Sequence, residues 1–473
     1  MPHRRASSLL GSRGTRGKRK RRVRDANQRA ETVRPHEAGS IATTQPDLLG
    51  GAVIATALGA LATFPLVARV LFPRLAARLR TSAGLWVVTK DTRLRLRRET
   101  ADASSAADGI GLAVEEMATC AESLLREIGL ISNFAPLVVI SGHCSSSLNN
   151  PHKSAYDCGA CGGGSGGPNA RAVAQILNQP DVRAKLKERG IEIPAGTRFV
   201  GAVHNTCIDS VTMFDLDLLP ESHAELLQQL RLALDEACRR NAHERARRFL
   251  SADLQLTFEE ALRHAEARSE DLAQARPEYG HCTVACCIVG RRSRTRGLFM
   301  DRRAFLASYD PEQDDEEFSV LTRVMTPIVP VCGGINLQYF FSHIDSRNWG
   351  SGSKLPHNIT GMLGVMDGTL SDLRHGLPWQ AVEIHEPLRL TIVIETPLSS
   401  MATLFSKLPT LENVARNGWV YLAVLDPGSD QIWHYHGGKF EPYLAESQLI
   451  PRASSSWEWY HGWREPLPFA MID

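Results

Sequence analysis

The strongest constraint in this sequence is a pair of short, wholly apolar runs separated by helical patterning. Leu137-Val138-Val139-Ile140 lies between Pro136 and Gly142, and Phe199-Val200-Gly201-Ala202-Val203 follows some sixty residues later. Runs this short and continuous, without polar alternation, read as strands buried on both faces. Val114 to Ile128, Ala170 to Leu177 and Val182 to Arg189 carry apolar residues at helical spacing. Strands alternating with helices predict a parallel sheet, with functional groups gathered at the carboxyl ends of its strands. The expected fold class is therefore α/β.

A long helix is predicted from Ser222 to Leu250, with Ser222 as N-cap and Glu225 completing a capping box. Beyond residue 276, Thr283 to Val289, Leu388 to Ile394 and Trp419 to Leu425 are strand-like, between stretches dense in Gly, Asn, Asp and His. This half reads as an α+β region. With 473 residues, 43% hydrophobic and 22% charged, the chain has enough material for two or three domains. Collagen, a wholly disordered chain and a polytopic membrane protein are excluded. Ten cysteines are too few for a disulfide scaffold and suit a reducing compartment.

Charge is distributed unevenly. Residues 1–98 hold 21 Lys/Arg against 5 Asp/Glu, whereas the remainder is acidic. Residues 1–46 read as a disordered basic tail without the interleaved aromatics of a nucleic-acid binder, so no nucleic acid is expected. Residues 47–109 form an apolar or amphipathic segment. Leu48 to Ala68 is free of charge, Pro65 interrupts it, and Arg69, Arg74, Arg78 and Arg80 follow among Leu71, Phe72, Leu75 and Leu79. That pattern favours a helix lying on a membrane surface or facing a partner over one that spans. Residues 110–275 form the α/β domain and 276–473 the C-terminal region. No secretory signal is evident.

The chemistry is concentrated in Ser141-Gly142-His143-Cys144 and the loop to Tyr156-Asp157-Cys158-Gly159-Ala160-Cys161. His143 follows the first strand and Cys158 comes fifteen residues later at a glycine-rich turn. An imidazole and a thiolate there suit Zn²⁺, which takes mixed nitrogen and sulfur ligands. The other readings are a structural histidine with an inert thiol, or a redox pair formed by Cys158 and Cys161. Cys207-Ile208-Asp209 follows the second strand in the same way, but no arginine stands beside Asp209 to clamp it. His434 and His436 share one face of a strand, read as a solvent-facing pair.

Long blocks of the sequence resemble the DabA family. They include "NFAPLVVISGHCSSSLNNPHKSAYDCGACGGGSGGPNARAVAQILN", "FVGAVHNTCID", "INLQYFFSHIDSRNWGSGSKLPHNITGMLGVMDG" and "SDLRHGLPWQAVEIHEPLRL". The resemblance covers about residues 110–400 and extends more loosely to the C-terminus. It implies a parallel-sheet domain like that of β-type carbonic anhydrases, whose zinc is held by two Cys, one His and one Asp. The family's His and second Cys fall on His143 and Cys158. It further implies a peripheral subunit on the cytoplasmic face of the inner membrane, working with DabB, a proton-translocating membrane subunit, on CO₂ and bicarbonate.

The family's remaining ligands lie in a Cys-x-Asp-x-Arg segment upstream, and nothing of that kind precedes His143. Cys120 is followed by Ala121, Glu122 and Ser123. The chain is expected to correspond to the C-terminal half of a DabA protein, its zinc site completed in trans or lost, and no catalytic base is assigned. His357, Asp367, Asp372, Arg374, His385 and Glu386 lie in the best-matching C-terminal block and are expected to serve structure.

Overall fold

A computed structural model describes residues 48–72, 75, 94–98, 111–147, 149, 164–275, 280–355, 376–429, 431–444 and 449–473. The chain divides into two units, residues 1–64 with 97–113, and residues 65–96 with 114–473. The basic tail lies outside the described residues, as do Cys158, Cys161, His357, Asp367, Asp372 and Arg374.

Leu48–Leu71 form one continuous 24-residue helix, α1, which carries Pro65 within it. Val53, Leu58, Leu61, Phe64 and Leu71 are exposed. No charge occurs in α1 before Arg69, so the polar face expected of a surface-lying helix begins only at its C-terminal end. In the first unit a parallel bridge pairs Arg97 with Leu112, and the Arg98 side chain donates to the Gly111 carbonyl at 3.4 Å.

The second unit opens with α2 (Val114–Glu127), whose Met117, Ala118, Ala121 and Leu125 are buried at helical spacing. Strand β1 (Leu137–Cys144) follows, then α3 (Gly167–Leu177) and α4 (Pro180–Glu188), each with a proline in its first turn, where the missing N–H costs nothing. Strand β2 (Arg198–Asn205) pairs parallel with β1, Leu137 opposite Arg198 through Cys144 opposite Asn205. Strand β3 (Ser210–Met213) turns back antiparallel on β2. Both strands run past the apolar residues that announced them, so that His143 and His204 lie within the ladder.

The long helix is α5 (Ala224–Ala246), preceded by a 3-10 turn at Glu221–His223. The expected capping box is absent, because Ser222 lies inside that turn and its hydroxyl contacts His223 Nδ1 at 3.1 Å. A true box starts α6 (Phe258–Glu270): the Thr257 hydroxyl accepts from the Glu260 amide while the Glu260 carboxylate accepts from the Thr257 amide. Such a cap stabilises by about 1 kcal/mol.

The C-terminal region is built on a six-stranded sheet in the order β10-β9-β8-β7-β4-β6. Its strands are β4 (Cys286–Gly290), β6 (Ala304–Ser308), β7 (Thr391–Glu395), β8 (Tyr421–Leu425), β9 (Ile432–His436) and β10 (Lys439–Pro442). The β6-β4-β7-β8 pairings are parallel, and β9 and β10 extend the sheet antiparallel. One face packs against α7 (Ser319–Ile328), α9 (Ser400–Lys407) and α10 (Pro409–Arg416), burying Val289, Leu321, Met325, Ile392, Ile394, Leu404, Leu411 and Val424. Between α7 and α8 (Ile335–Ile344), Val329–Gly334 winds as a π-helix.

The rod Ser319–Ile344 is long and apolar enough to cross a membrane, yet Leu321 and Met325 are fully buried in the core. At its far end the Asn336 side chain donates to the Val284 carbonyl (3.2 Å) and accepts from the Leu390 amide (3.0 Å), joining the starts of β4 and β7. A small third sheet, β11-β12-β5, brings Arg452–Ala453 and Ala470–Ile472 against Leu298–Phe299. The structure is mixed α/β with sheets that contain parallel pairs, compatible with the expected α/β class, but the C-terminal region, expected as α+β, is centred on the four parallel strands β6-β4-β7-β8.

Candidate functional site

At the carboxyl end of the β1–β2 pair, His143 stands opposite His204, and Cys144 opposite Asn205. In-register residues of parallel neighbours point to the same side, and successive residues alternate. Gly142 and Gly201 face α3. A Cβ on Gly142 would lie 2.3 Å from the Gly166 carbonyl oxygen, and one on Gly201 would lie 2.6 Å from Arg171 Cα. Only glycine lets the start of α3 approach this closely, and the Gly166 amide donates to the His143 carbonyl at 2.8 Å. His143 is thereby turned to the opposite face, where it is exposed.

After Cys144 the chain dives inward. Ser147 and Asn149 are fully buried. The Ser147 hydroxyl donates to Asn149 Oδ1 (2.5 Å), and Asn149 Nδ2 donates to the Arg268 carbonyl (2.8 Å). These bonds fix the chain as far as Asn149. The distance from His143 to Cys158 falls outside the described residues.

The turn after β2 is organised around Asn205. Its Oδ1 accepts from the Ser146 and Cys207 amides, each at 3.3 Å, and its Nδ2 donates to the Ser146 hydroxyl at 2.8 Å. The Cys207 thiol is fully buried and donates to the same Oδ1 at 3.2 Å. Asp209 adopts a left-handed backbone with φ +50°. Its carboxylate meets Arg245 at 2.5 Å, accepts from Asn241 Nδ2 at 2.6 Å and stands 3.4 Å from His204 Nε2. Arg245 also donates to the Thr206 and Cys207 carbonyls, at 2.8 and 2.9 Å.

Here the structure corrects the sequence reading. Asp209 does have a clamping arginine, supplied by the last turn of α5 rather than by its own segment. The pair locks the turn, and Cys207 is hydrogen-bonded to Asn205 in the interior. Among the described residues, no three His, Cys, Asp or Glu side chains converge as a metal group.

The residues that follow α5 anchor the C-terminal region. Arg247 and Asp301 form a buried pair, with Arg248 3.6 Å away on the other carboxylate oxygen. Burial pushes the Arg247 guanidinium down to about 10. Arg464 returns from the C-terminal tail to donate to the carbonyls of Arg247, Phe249 and Ala252. Thus the end of α5 ties the site turn through Arg245, and Arg247 and Arg248 just beyond it tie the turn before β6 through Asp301.

Of the other candidates, His385 and Glu386 are engaged within the chain. His385 is buried, its Nδ1 2.8 Å from the Cys282 carbonyl, and burial pushes its imidazole down to about 4. Glu386 pairs with Arg303 at 2.7 Å. The rings of His434 and His436 are 6.2 Å apart on β9, and His434 stands 3.9 Å from Glu441 on β10. Burial raises the thiol of Cys286 to about 11 and also raises Cys238 and Cys282, while the contact with Cys332 and then burial raise Cys287, which favours the protonated sulfur in each.

Against known proteins, the family model described as "Probable inorganic carbon transporter subunit DabA" matches residues 12–420. A protein so named from Rhodopirellula baltica is 50% identical over 425 residues, covering 90% of this chain and 40% of that protein. One from Sorangium cellulosum is 46% identical over 451 residues, 95% of this chain and 44% of the relative. One from Methylococcus capsulatus is 44% identical over 411 residues, 86% and 38% respectively. The chain therefore spans well under half the length of these three relatives. No solved structure matches. With the family model and the relatives in agreement across nearly the whole sequence, this chain belongs to the DabA family.

Proposed function

We propose that this chain acts in inorganic-carbon uptake as a DabA-type subunit, with His143 and Cys158 as two protein ligands of a zinc ion that serves CO₂ hydration. The observation that carries the reading is the position of His143. It is an exposed imidazole at the carboxyl end of a parallel strand, turned away from α3 by Gly142. That is where an open α/β sheet presents its functional groups, and imidazole is a zinc donor. When bound, zinc would lower the pKa of a water molecule towards about 7.

The chain's own residues build the frame around that chemistry. The Gly166 amide fixes the His143 carbonyl, and Asn149 ties the chain after β1 to the Arg268 carbonyl. Asn205 and the Asp209–Arg245 pair hold the neighbouring turn. The resemblance assigns two further ligands and an orienting arginine to a Cys-x-Asp-x-Arg segment. The relatives extend well beyond the matched stretch, and this reading takes those ligands from such polypeptide. A DabB-like membrane subunit is the expected partner, with CO₂ and bicarbonate as substrates, and α1 with the basic residues around it is the element that meets the cytoplasmic face of the inner membrane.

Zinc content is the test. The purified full chain, mixed with the part of the Rhodopirellula baltica relative outside the match, is expected to hold ~1 zinc per chain, which His143→Ala or Cys158→Ser removes while Cys161→Ser leaves most of it. Retention of zinc by both the His143 and Cys158 variants would refute the assignment.

A further inference from the structure

Among the described residues, helices cover the six-stranded sheet on one face only. Along β4, β7 and β8 the residues Cys287, Val289, Ile392, Ile394, Leu422 and Val424 are buried, while the alternating Ile288, Thr391, Val393 and Ala423 are half-buried and Tyr421 is exposed. Register places these alternating residues side by side: Ile288 is opposite Val393, Val393 opposite Ala423, and Thr391 opposite Tyr421. Ile288, Thr391, Val393 and Tyr421 floor a hollow of about 720 Å³, edged by Arg303, Phe340, Leu388 and Phe469.

The winding of the chain explains why this face is bare. Crossovers between parallel strands are right-handed, so the direction of travel along the sheet decides which face receives the connection. The chain moves one way from β4 to β6, and the other way from β6 to β7 and from β7 to β8. The two longer connections, carrying α7, α9 and α10, therefore share a face. Among the described residues, the opposite face receives the short link between β4 and β6, with Phe340, Leu388 and Phe469 reaching only the edge of the hollow. A parallel sheet normally has helices on both sides. Among the described residues, this one has an apolar surface without a second helical layer.

We propose that this face is the seat of DabA-family polypeptide lying outside the stretch matched here, docked as a helical layer with an apolar stripe and acidic flanks. The matched stretch makes up 40% of the Rhodopirellula baltica relative, which leaves more than half of that protein to supply the layer. The acidic flank follows from Arg389 at the rim of the hollow. Its guanidinium donates to the Gly418 carbonyl at 2.7 Å and lies over the Phe340 and Trp419 rings, and among the described residues it has no carboxylate partner. The inference rests on family membership and on the sheet, not on zinc.

The test uses the full chain and, as probe, the tagged part of the Rhodopirellula baltica relative outside the match. Capture is expected, and Val393→Glu with Ala423→Glu is expected to weaken it by roughly tenfold or more, because two charges would enter a desolvated interface. Both positions are half-buried, so an unchanged melting midpoint verifies that the variant is folded. A photo-crosslinking p-benzoyl-phenylalanine placed at Tyr421 is expected to join the probe, while one at exposed Glu188 on α4 is not. Absence of capture, equal capture by the folded variant, or a Tyr421 crosslink to a second copy or within the same chain would overturn the proposal. Capture that persists in EDTA keeps its outcome separate from that of the zinc reading.

Discussion

The Asp209 carboxylate and the Arg245 guanidinium meet at 2.5 Å with side chains no more than 1% exposed, joining the turn after β2 to the end of α5. Removing one member of such a pair leaves the other charge buried without compensation. Arg245→Met is therefore expected to lower stability by about 3–5 kcal/mol, whereas Asp209→Asn combined with Arg245→Met recovers a large part of that loss. Urea unfolding midpoints of the two single variants and the double variant check this. Equal losses in single and double variants would contradict it.

Gly142 offers a sharper probe of the site. An alanine methyl there would meet the backbone of Gly166, which cannot swing aside as a side chain does. Gly142→Ala is expected to cost about 1–3 kcal/mol and to lower zinc retention as the strand end shifts. Gly190 is the control. Its φ of +86° penalises a side chain, but open space surrounds it, so Gly190→Ala is expected to cost about 1 kcal/mol and leave zinc unchanged. Thermal melts and elemental analysis of both variants provide the comparison.

Acid should destabilise the C-terminal region through His385. Burial holds its imidazole at about 4, below its ordinary range, so the unfolded chain binds a proton at higher pH than the folded one. The stability it contributes is complete above about pH 6.5 and is lost as pH falls towards 4, up to about 3 kcal/mol. Burial lowers His243 as well, which adds in the same direction. His385→Gln is expected to flatten the fall in melting temperature between pH 7 and pH 5, and an unchanged slope would rule His385 out as its source.

The exposed apolar side chains of α1 predict attachment to lipid. Deleting residues 48–72 is expected to reduce co-sedimentation of the chain with vesicles containing anionic lipid by roughly tenfold. Binding that survives the deletion would assign attachment to another part of the molecule.

The parts of the fold legible in the sequence are those governed by local pattern. β1, β2, β4, β7 and β8 fall within a few residues of their apolar runs, and α2, α3 and α4 follow helical spacing. What escaped depends on long-range packing or on very short elements. β5 and β11 are two residues each and exist only because the tail returns to pair them. The Ser222 box was a sound local pattern overridden by the 3-10 turn that includes Ser222 itself. At the site, His143 could be placed because a glycine and a strand end mark it. The clamp on Asp209 could not, since its arginine belongs to a helix that reaches the turn only after folding.

The π-helical stretch at 329–334 sets the rotational phase of everything after it. A wider turn behaves as one extra residue inserted into a regular helix, and each residue turns the helix by about 100°. The angular offset is what lets one rod present Leu321 and Met325 to the sheet and then aim Asn336 at the gap between Val284 and Leu390. Excising a single residue from that stretch would swing the carboxamide away from both backbone groups, and the beginnings of two central strands would lose their shared fastening.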